Sequence, residues 1–187
     1  MPKVLRGKCV VLGASTVGKS AIVQSFASDG ADFPRNYCMS VSAELVVKNV
    51  IIPEVNDTVE LFIYTLPGKD VFSTLADAYV DHINMLIVVF DLTDTSSFKN
   101  AKSILAKWLT PSRVNLPPTV LIGNKSDLQL RRRISTEEAT ELAKSFNITY
   151  YETSAKEAIA IDKPFVHVAK EYHSLYAKKI ETLQNLI

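Results

Sequence analysis

The octapeptide GASTVGKS, residues 13–20, stands between an apolar run, KCVVLG, and a stretch of helical period. Few local patterns restrict a fold as tightly. A strand must feed a tight loop, and the loop must open a helix. Gly13 and Gly18 let the backbone curl, so that successive N–H groups at the positive end of the helix converge on one anion. Lys19 then reaches toward phosphate oxygens, and the Ser20 hydroxyl is placed to ligate a divalent cation. Thr16, Val17 and Ala21 complete the expected lining of this cradle. A strand over 8–13 and a helix from Ser20 to about Ser28 follow.

The rest of the chain repeats the alternation of strand-length apolar runs with helix-period stretches, which builds a sheet covered by helices on both faces. ELVVKNVII (44–52) and VELFIYTL (59–66) flank PEVNDT, whose Pro, Asn and Asp mark a turn between antiparallel strands. MLIVVFDL (85–92) reads as a buried central strand, and TDTSSF supplies caps for a helix ending near Trp108. TVLIGN (119–124) is the next strand, STEEATELAKSF a capped helix, and TYYETS the last strand. From about Pro164, the apolar spacing through Phe165, Val168, Ala169, Tyr172, Leu175, Tyr176, Ile180 and Leu183 predicts one long amphipathic helix. The expected fold is α/β: a six-stranded, mostly parallel sheet with one antiparallel edge strand. With 187 residues, enough for a core without covalent staples, one domain is expected over 1–187.

Composition excludes several classes. Hydrophobic residues make up 47%, charged residues 22%, and the formal charge is +1, so the basic excess of a nucleic-acid binder is missing and no nucleic-acid partner is expected. Cys9 and Cys38 have no metal-ligand spacing and suit a reducing compartment, where they stay unpaired. Lys3, Arg6 and Lys8 interrupt the first apolar run, and no window approaches a membrane span. KKIETLQNLI offers no cysteine for prenylation, and the start lacks the glycine for myristoylation. The expectation is a soluble cytoplasmic protein with no direct membrane anchor.

A second polar cluster, NKSD (124–127), follows the strand TVLIG and therefore lies at the carboxyl edge of the sheet, where open α/β folds bind ligands. The Asp127 carboxylate can accept from both N1–H and N2–H₂ of guanine, a donor pair that adenine lacks. Asn124 would brace the loops, and the stem of Lys125 would cover the base. SAK (Ser154, Ala155, Lys156) again follows a strand and can offer the Ala155 N–H to guanine O6.

In order and spacing these motifs resemble those of the Ras- and Rab-like small GTPases, from about Lys8 to the last helix. The resemblance implies GTP or GDP with Mg²⁺ as cofactors. It also maps a base-contacting aromatic onto Phe33, four residues before Tyr37, with an ordinary core aromatic as the alternative. A magnesium-binding hydroxyl maps onto Ser40, and a γ-phosphate-contacting N–H onto Gly68. Departures are concentrated in TLPGKD, residues 65–70. Thr65 replaces the family aspartate and adds no negative charge, so the metal is expected to be held more weakly. Lys69 replaces the water-orienting glutamine, and an ammonium has donors but no acceptor for that water's proton. No residue is assigned as catalytic, and hydrolysis is expected to be slow.

DGADFPRNYCMS, the LVVK strand, the lysine-bearing switch and Pro164-Phe165 further resemble the Rab-like branch that serves as a subunit of the intraflagellar transport B complex. That branch implies a heterodimer with a small β-sandwich subunit, docking to a larger transport complex, and a place in the cilium or flagellum. Three functional readings stand side by side: an interaction subunit tuned by nucleotide, a regulatory GTPase of vesicle traffic, and a structural module locked on its nucleotide. His82, His167 and His173 share no motif and are read as surface or hydrogen-bonded groups, and Arg131, Arg132 and Arg133 as a solvated basic loop. The apolar positions of the last helix are assigned mainly to the core, with a partner-binding stripe beyond it as the alternative.

Overall fold

The computed structural model describes residues 2–33, 42–68, 79–80, 82–110 and 116–185. Its sheet has six strands: β1 (Val4–Leu12), β2 (Glu44–Ile52), β3 (Asp57–Thr65), β4 (Met85–Asp91), β5 (Thr119–Asn124) and β6 (Thr149–Glu152). They lie in the order β2-β3-β1-β4-β5-β6. All neighbours are parallel except β2 and β3, which pair antiparallel from Glu44↔Thr65 to Ile52↔Asp57. The expected architecture is therefore the observed one. Among the described residues the α-helices delimited at both ends are α1 (Lys19–Ala27), α2 (Thr95–Trp108), α3 (Thr136–Ser145) and α4 (Asp162–Gln184).

Period-two alternation sorts the central strands between two cores. Cys9 and Val11 of β1 with Met85, Ile87 and Val89 of β4 face α1 and α4, where Ile22, Phe26, Phe165 and Val168 pack. Val10, Leu12, Leu86, Val88 and Phe90 face α2 and α3 and meet Phe98, Leu105 and Leu142. Every residue of β4 and β5 is buried, as expected of strands covered on both faces. The Cys9 thiol lies inside the first core, where burial pushes it up to about 12, so it is inert at neutral pH.

Both expected caps form. The Asp94 carboxylate accepts from Ser96 N at 2.9 Å and Ser97 N at 3.3 Å at the start of α2, and Ser135 Oγ accepts from Glu138 N at 3.1 Å at the start of α3. β1 begins at Val4 rather than Lys8, because Val4 to Gly7 pair with Thr58 to Leu61 even though they alternate exposed and buried. β3 begins at Asp57, two residues before the apolar run, and α4 begins at Asp162, two before Pro164.

The far half of α4 departs from its assignment to the core. Phe165, Val168 and Ala169 are buried and Tyr172 still packs on the sheet, but Leu175, Tyr176 and Leu183 are exposed. Burial stops because the sheet stops, while the helical period runs on. Tyr172 Oη donates to the Arg6 carbonyl at 2.9 Å, His173 Nε2 lies 2.8 Å from Asp57 Oδ2, and Lys170 Nζ pairs with Glu54 at 2.5 Å. These contacts pin the helix to the amino-end edge of the sheet. Among the described residues no helix is long and apolar enough to cross a membrane.

Candidate nucleotide-binding site

At the carboxyl edge of β1 the chain turns sharply into α1. Gly13 has φ 150, and a Cβ there would stand 2.2 Å from the Val89 carbonyl oxygen. Gly18 has φ 97, and a Cβ would stand 2.3 Å from Asn124 Nδ2. Neither position admits a side chain. Gly18 also occupies the N-cap of α1 without any side-chain cap, so the first helical N–H groups remain available to an anion. Thr16 is exposed at the loop tip with φ 66, while Val17 is buried beneath it.

Lys19 is buried, and its Nζ donates to the Gly13 carbonyl at 2.9 Å and the Ala14 carbonyl at 2.8 Å. Burial pushes this ammonium down to about 8, partly opposed by Glu44. An approaching phosphate would supply the negative charge that the pocket lacks. Ser20 and Ala21 follow in the first turn of α1, both half-buried.

Asn124, at the end of β5 and 2% exposed, ties three loops together. Its Nδ2 donates to the Val17 carbonyl at 2.8 Å, and its Oδ1 accepts from the Ala155 N–H and from Thr153 Oγ1, both at 3.3 Å. The phosphate loop, the NKSD loop and the SAK loop thus share one buried amide. Ser154 Oγ donates to Asp127 Oδ1 at 2.6 Å, which orients the carboxylate. The Glu157 N–H in turn donates to Ser154 Oγ at 3.1 Å, which fixes the hydroxyl. Lys156 is exposed.

Two residues of this region escape a motif reading. Asp91, at the carboxyl end of β4, pairs with Lys125 Nζ at 2.6 Å and accepts from Thr93 N and Thr93 Oγ1, each at 2.7 Å. It anchors the head of Lys125, whose backbone is left-handed at φ 67. The signal was present in the sequence as one acidic residue closing an otherwise apolar strand. Thr153 is the second; its hydroxyl lies between β6 and Asn124.

On the γ-phosphate side, Thr65 ends β3 at 1% exposure, paired with Val11 on one side and Glu44 on the other. Gly68 lies directly on the phosphate loop: a Cβ would stand 2.4 Å from the Ala14 carbonyl carbon and the Ser15 nitrogen. Phe33 is 44% exposed and belongs to neither core, which removes the core-aromatic alternative. Ser40, Tyr37, Cys38 and Lys69 lie outside the described residues. Among the described residues no group of three or more His, Cys, Asp and Glu side chains could hold a metal ion.

The basic run is not uniformly solvated. Arg132 makes a two-pronged contact with Glu152, at 2.9 and 2.5 Å, and Glu152 also accepts from Thr136 Oγ1 and Tyr150 Oη. Arg131 and Arg133 remain exposed. The Arg132 fork therefore locks the segment after NKSD to the strand that delivers SAK.

A parallel-sheet core with a glycine-bracketed phosphate loop and two base-side loops on one carboxyl edge defines a nucleotide-binding G domain, and the chain belongs to the Ras family, whose sequence model it matches over residues 8–174. Within that family it is 41% identical to Intraflagellar transport protein 27 homolog of Bos taurus over 98% of both chains. It is 40% identical to the Homo sapiens protein of the same name, over 97% of this chain and 98% of that one. Ras-related protein Rab-13 of Rattus norvegicus is more distant, at 29% identity over 88% of this chain and 78% of its own length. The branch resemblance carried by LVVK and the altered switch is thereby borne out.

Proposed function

We propose that this chain binds GTP or GDP with Mg²⁺ and acts as a protein-interaction subunit in intraflagellar transport, hydrolysing GTP slowly or only with a partner's help. The observation that carries the nucleotide reading is Asn124, which holds the phosphate loop and both base-side loops in one hydrogen-bonded unit. In this reading the amides of residues 13–18 and Lys19 hold the phosphates, and Asp127 with the Ala155 N–H reads guanine, the latter by exchanging its long contact to Asn124 for guanine O6. Phe33 covers the base edge. Ser20 and Ser40 would hold the magnesium ion, which when bound neutralises charge on the β- and γ-phosphates.

Slow hydrolysis follows from residue chemistry. Thr65 contributes no charge, and Lys69 offers no acceptor to orient water. Intact small GTPases already hydrolyse at only about 3–5 × 10⁻⁴ s⁻¹ unaided. The transport role rests on similarity along nearly the whole chain to proteins named for intraflagellar transport. A heterodimer with a small β-sandwich subunit, docking to a larger assembly in the cilium or flagellum, is part of the same proposal.

Single-turnover hydrolysis of preloaded GTP in magnesium, with retained nucleotide read in the same samples, tests the chemistry. The wild type is expected to keep its GTP while Lys69→Gln turns it over faster. Wild-type turnover at the ordinary intrinsic rate or above would overturn the disarmed-switch reading.

A further inference from the structure

Helix α1 ends without a basic residue in its last turn, so nothing local offsets the negative end of its dipole. The positive charge comes from another element. Lys48, on the α1-facing side of β2, donates from Nζ to the Phe26 carbonyl at 2.7 Å, the Ala27 carbonyl at 3.2 Å and Asp29 Oδ1 at 2.6 Å. It also sits 5.0 Å from the centroid of the Phe26 ring. All three ammonium hydrogens are thus committed, and the side chain is 18% exposed.

The segment that Lys48 grips leads to the nucleotide site. Asp29 and Gly30 are left-handed, at φ 54 and φ 85. Gly30 N donates to the Ser25 carbonyl at 2.7 Å, and Asp32 N to Ser28 Oγ at 2.9 Å. The turn delivers Phe33 directly. Gly30 also seats against the loop after SAK, since a Cβ there would stand 3.0 Å from Ala158 Cβ. Beneath the turn, Phe26 stacks on Phe165 of α4 at 4.0 Å. One lysine on an edge strand therefore fixes the register of the turn against the base-side loop.

We propose that Lys48 is a positioning residue for guanine nucleotide: by clamping the end of α1 and Asp29 it holds the 28–33 turn against the Ala158 loop and slows nucleotide release. The inference rests on the guanine-nucleotide reading above and adds to it a residue that touches no nucleotide. It acts on the base side of the site, so its effect does not depend on the metal. Asp29, on the exposed side of the clamp, contributes less than the two carbonyls, because its side chain is 88% exposed and solvent screens the pair.

The test is the rate at which the full chain releases a fluorescent GDP analogue, with and without EDTA, beside the melting temperature. Lys48→Met keeps the stem and removes the charge, and it is expected to raise the release rate about tenfold, by the same factor in both conditions. Lys48→Arg should restore most of the wild-type rate. Val50→Ala, in the same strand and buried, gives a measure of stability loss alone. An unchanged rate in Lys48→Met, an increase that vanishes in EDTA, or an equal increase in Val50→Ala at a matched melting temperature would each overturn the proposal. A wild type that takes up no guanine nucleotide would sink the nucleotide reading and the positioning role together; normal uptake with unaltered release in Lys48→Met would sink only the latter.

Discussion

Asn124 carries more of the site than any single ligand-facing group. Buried and bonded to Val17, Thr153 and Ala155, it has no route to water when a partner is removed. Asn124→Ala strands the Val17 carbonyl in particular, at a cost of about 1–3 kcal/mol. The variant should therefore lose melting temperature and release guanine nucleotide faster, both read in one purified sample; an unchanged melting temperature would mean that the loops are held by other contacts. At this scale the motifs were legible because each is a fixed residue type at a fixed distance after a strand. Lys125 was legible as a position but not as a contact: its head group goes to Asp91, and no local spacing links residues in β4 and in the loop after β5. The same limit applies to Arg132, whose partner Glu152 is brought near only by the pairing of β5 with β6.

Elements follow from their ends. Asp94 begins α2 because its carboxylate answers N–H groups that the helix leaves open, and the Ser96 hydroxyl and N–H, ahead of the Ser97 N–H, hold it below the usual carboxylate range. Asp94→Ala should cost about 1 kcal/mol of unfolding free energy at neutral pH, measured by urea titration. A depressed carboxylate contributes fully above its unfolded value of about 3.9 and loses that contribution as pH falls through the lower folded value. The deficit between wild type and variant should therefore shrink on acidification below about pH 4; a gap constant down to the acid transition would deny the cap its charge. Strand and helix identities could be read from period and caps. Strand lengths could not, because Val4 to Gly7 owe their place to pairing with β3 rather than to an apolar run.

Across the molecule, the acid limb should also report the contacts that fasten α4. Asp57 is held low first by the Lys3 N–H and then by His173, so its contribution is present above the ordinary carboxylate range and is lost as pH drops through its folded value. Asp57→Asn is expected to lower the melting temperature at pH 7 and to lower it progressively less as pH falls below the ordinary carboxylate range; an equal deficit at every pH would show that the carboxylate's charge is irrelevant there. How far α4 would stay on the sheet was not legible in the sequence, since a helical period carries no record of where its support ends. The consequence is mechanical. Beyond Ser174 the helix runs ten residues further to Gln184, roughly 15 Å at 1.5 Å each, with Leu175 and Lys178 bordering a cavity beside Pro117 and Phe146 and the last turn exposed. Load placed on that end of the helix reaches the body at Arg6, Glu54 and Asp57 and beside Pro117 and Thr149, all at the amino ends of the strands, away from the phosphate and base loops. The protein thus has a handle that can be gripped without loosening what it holds.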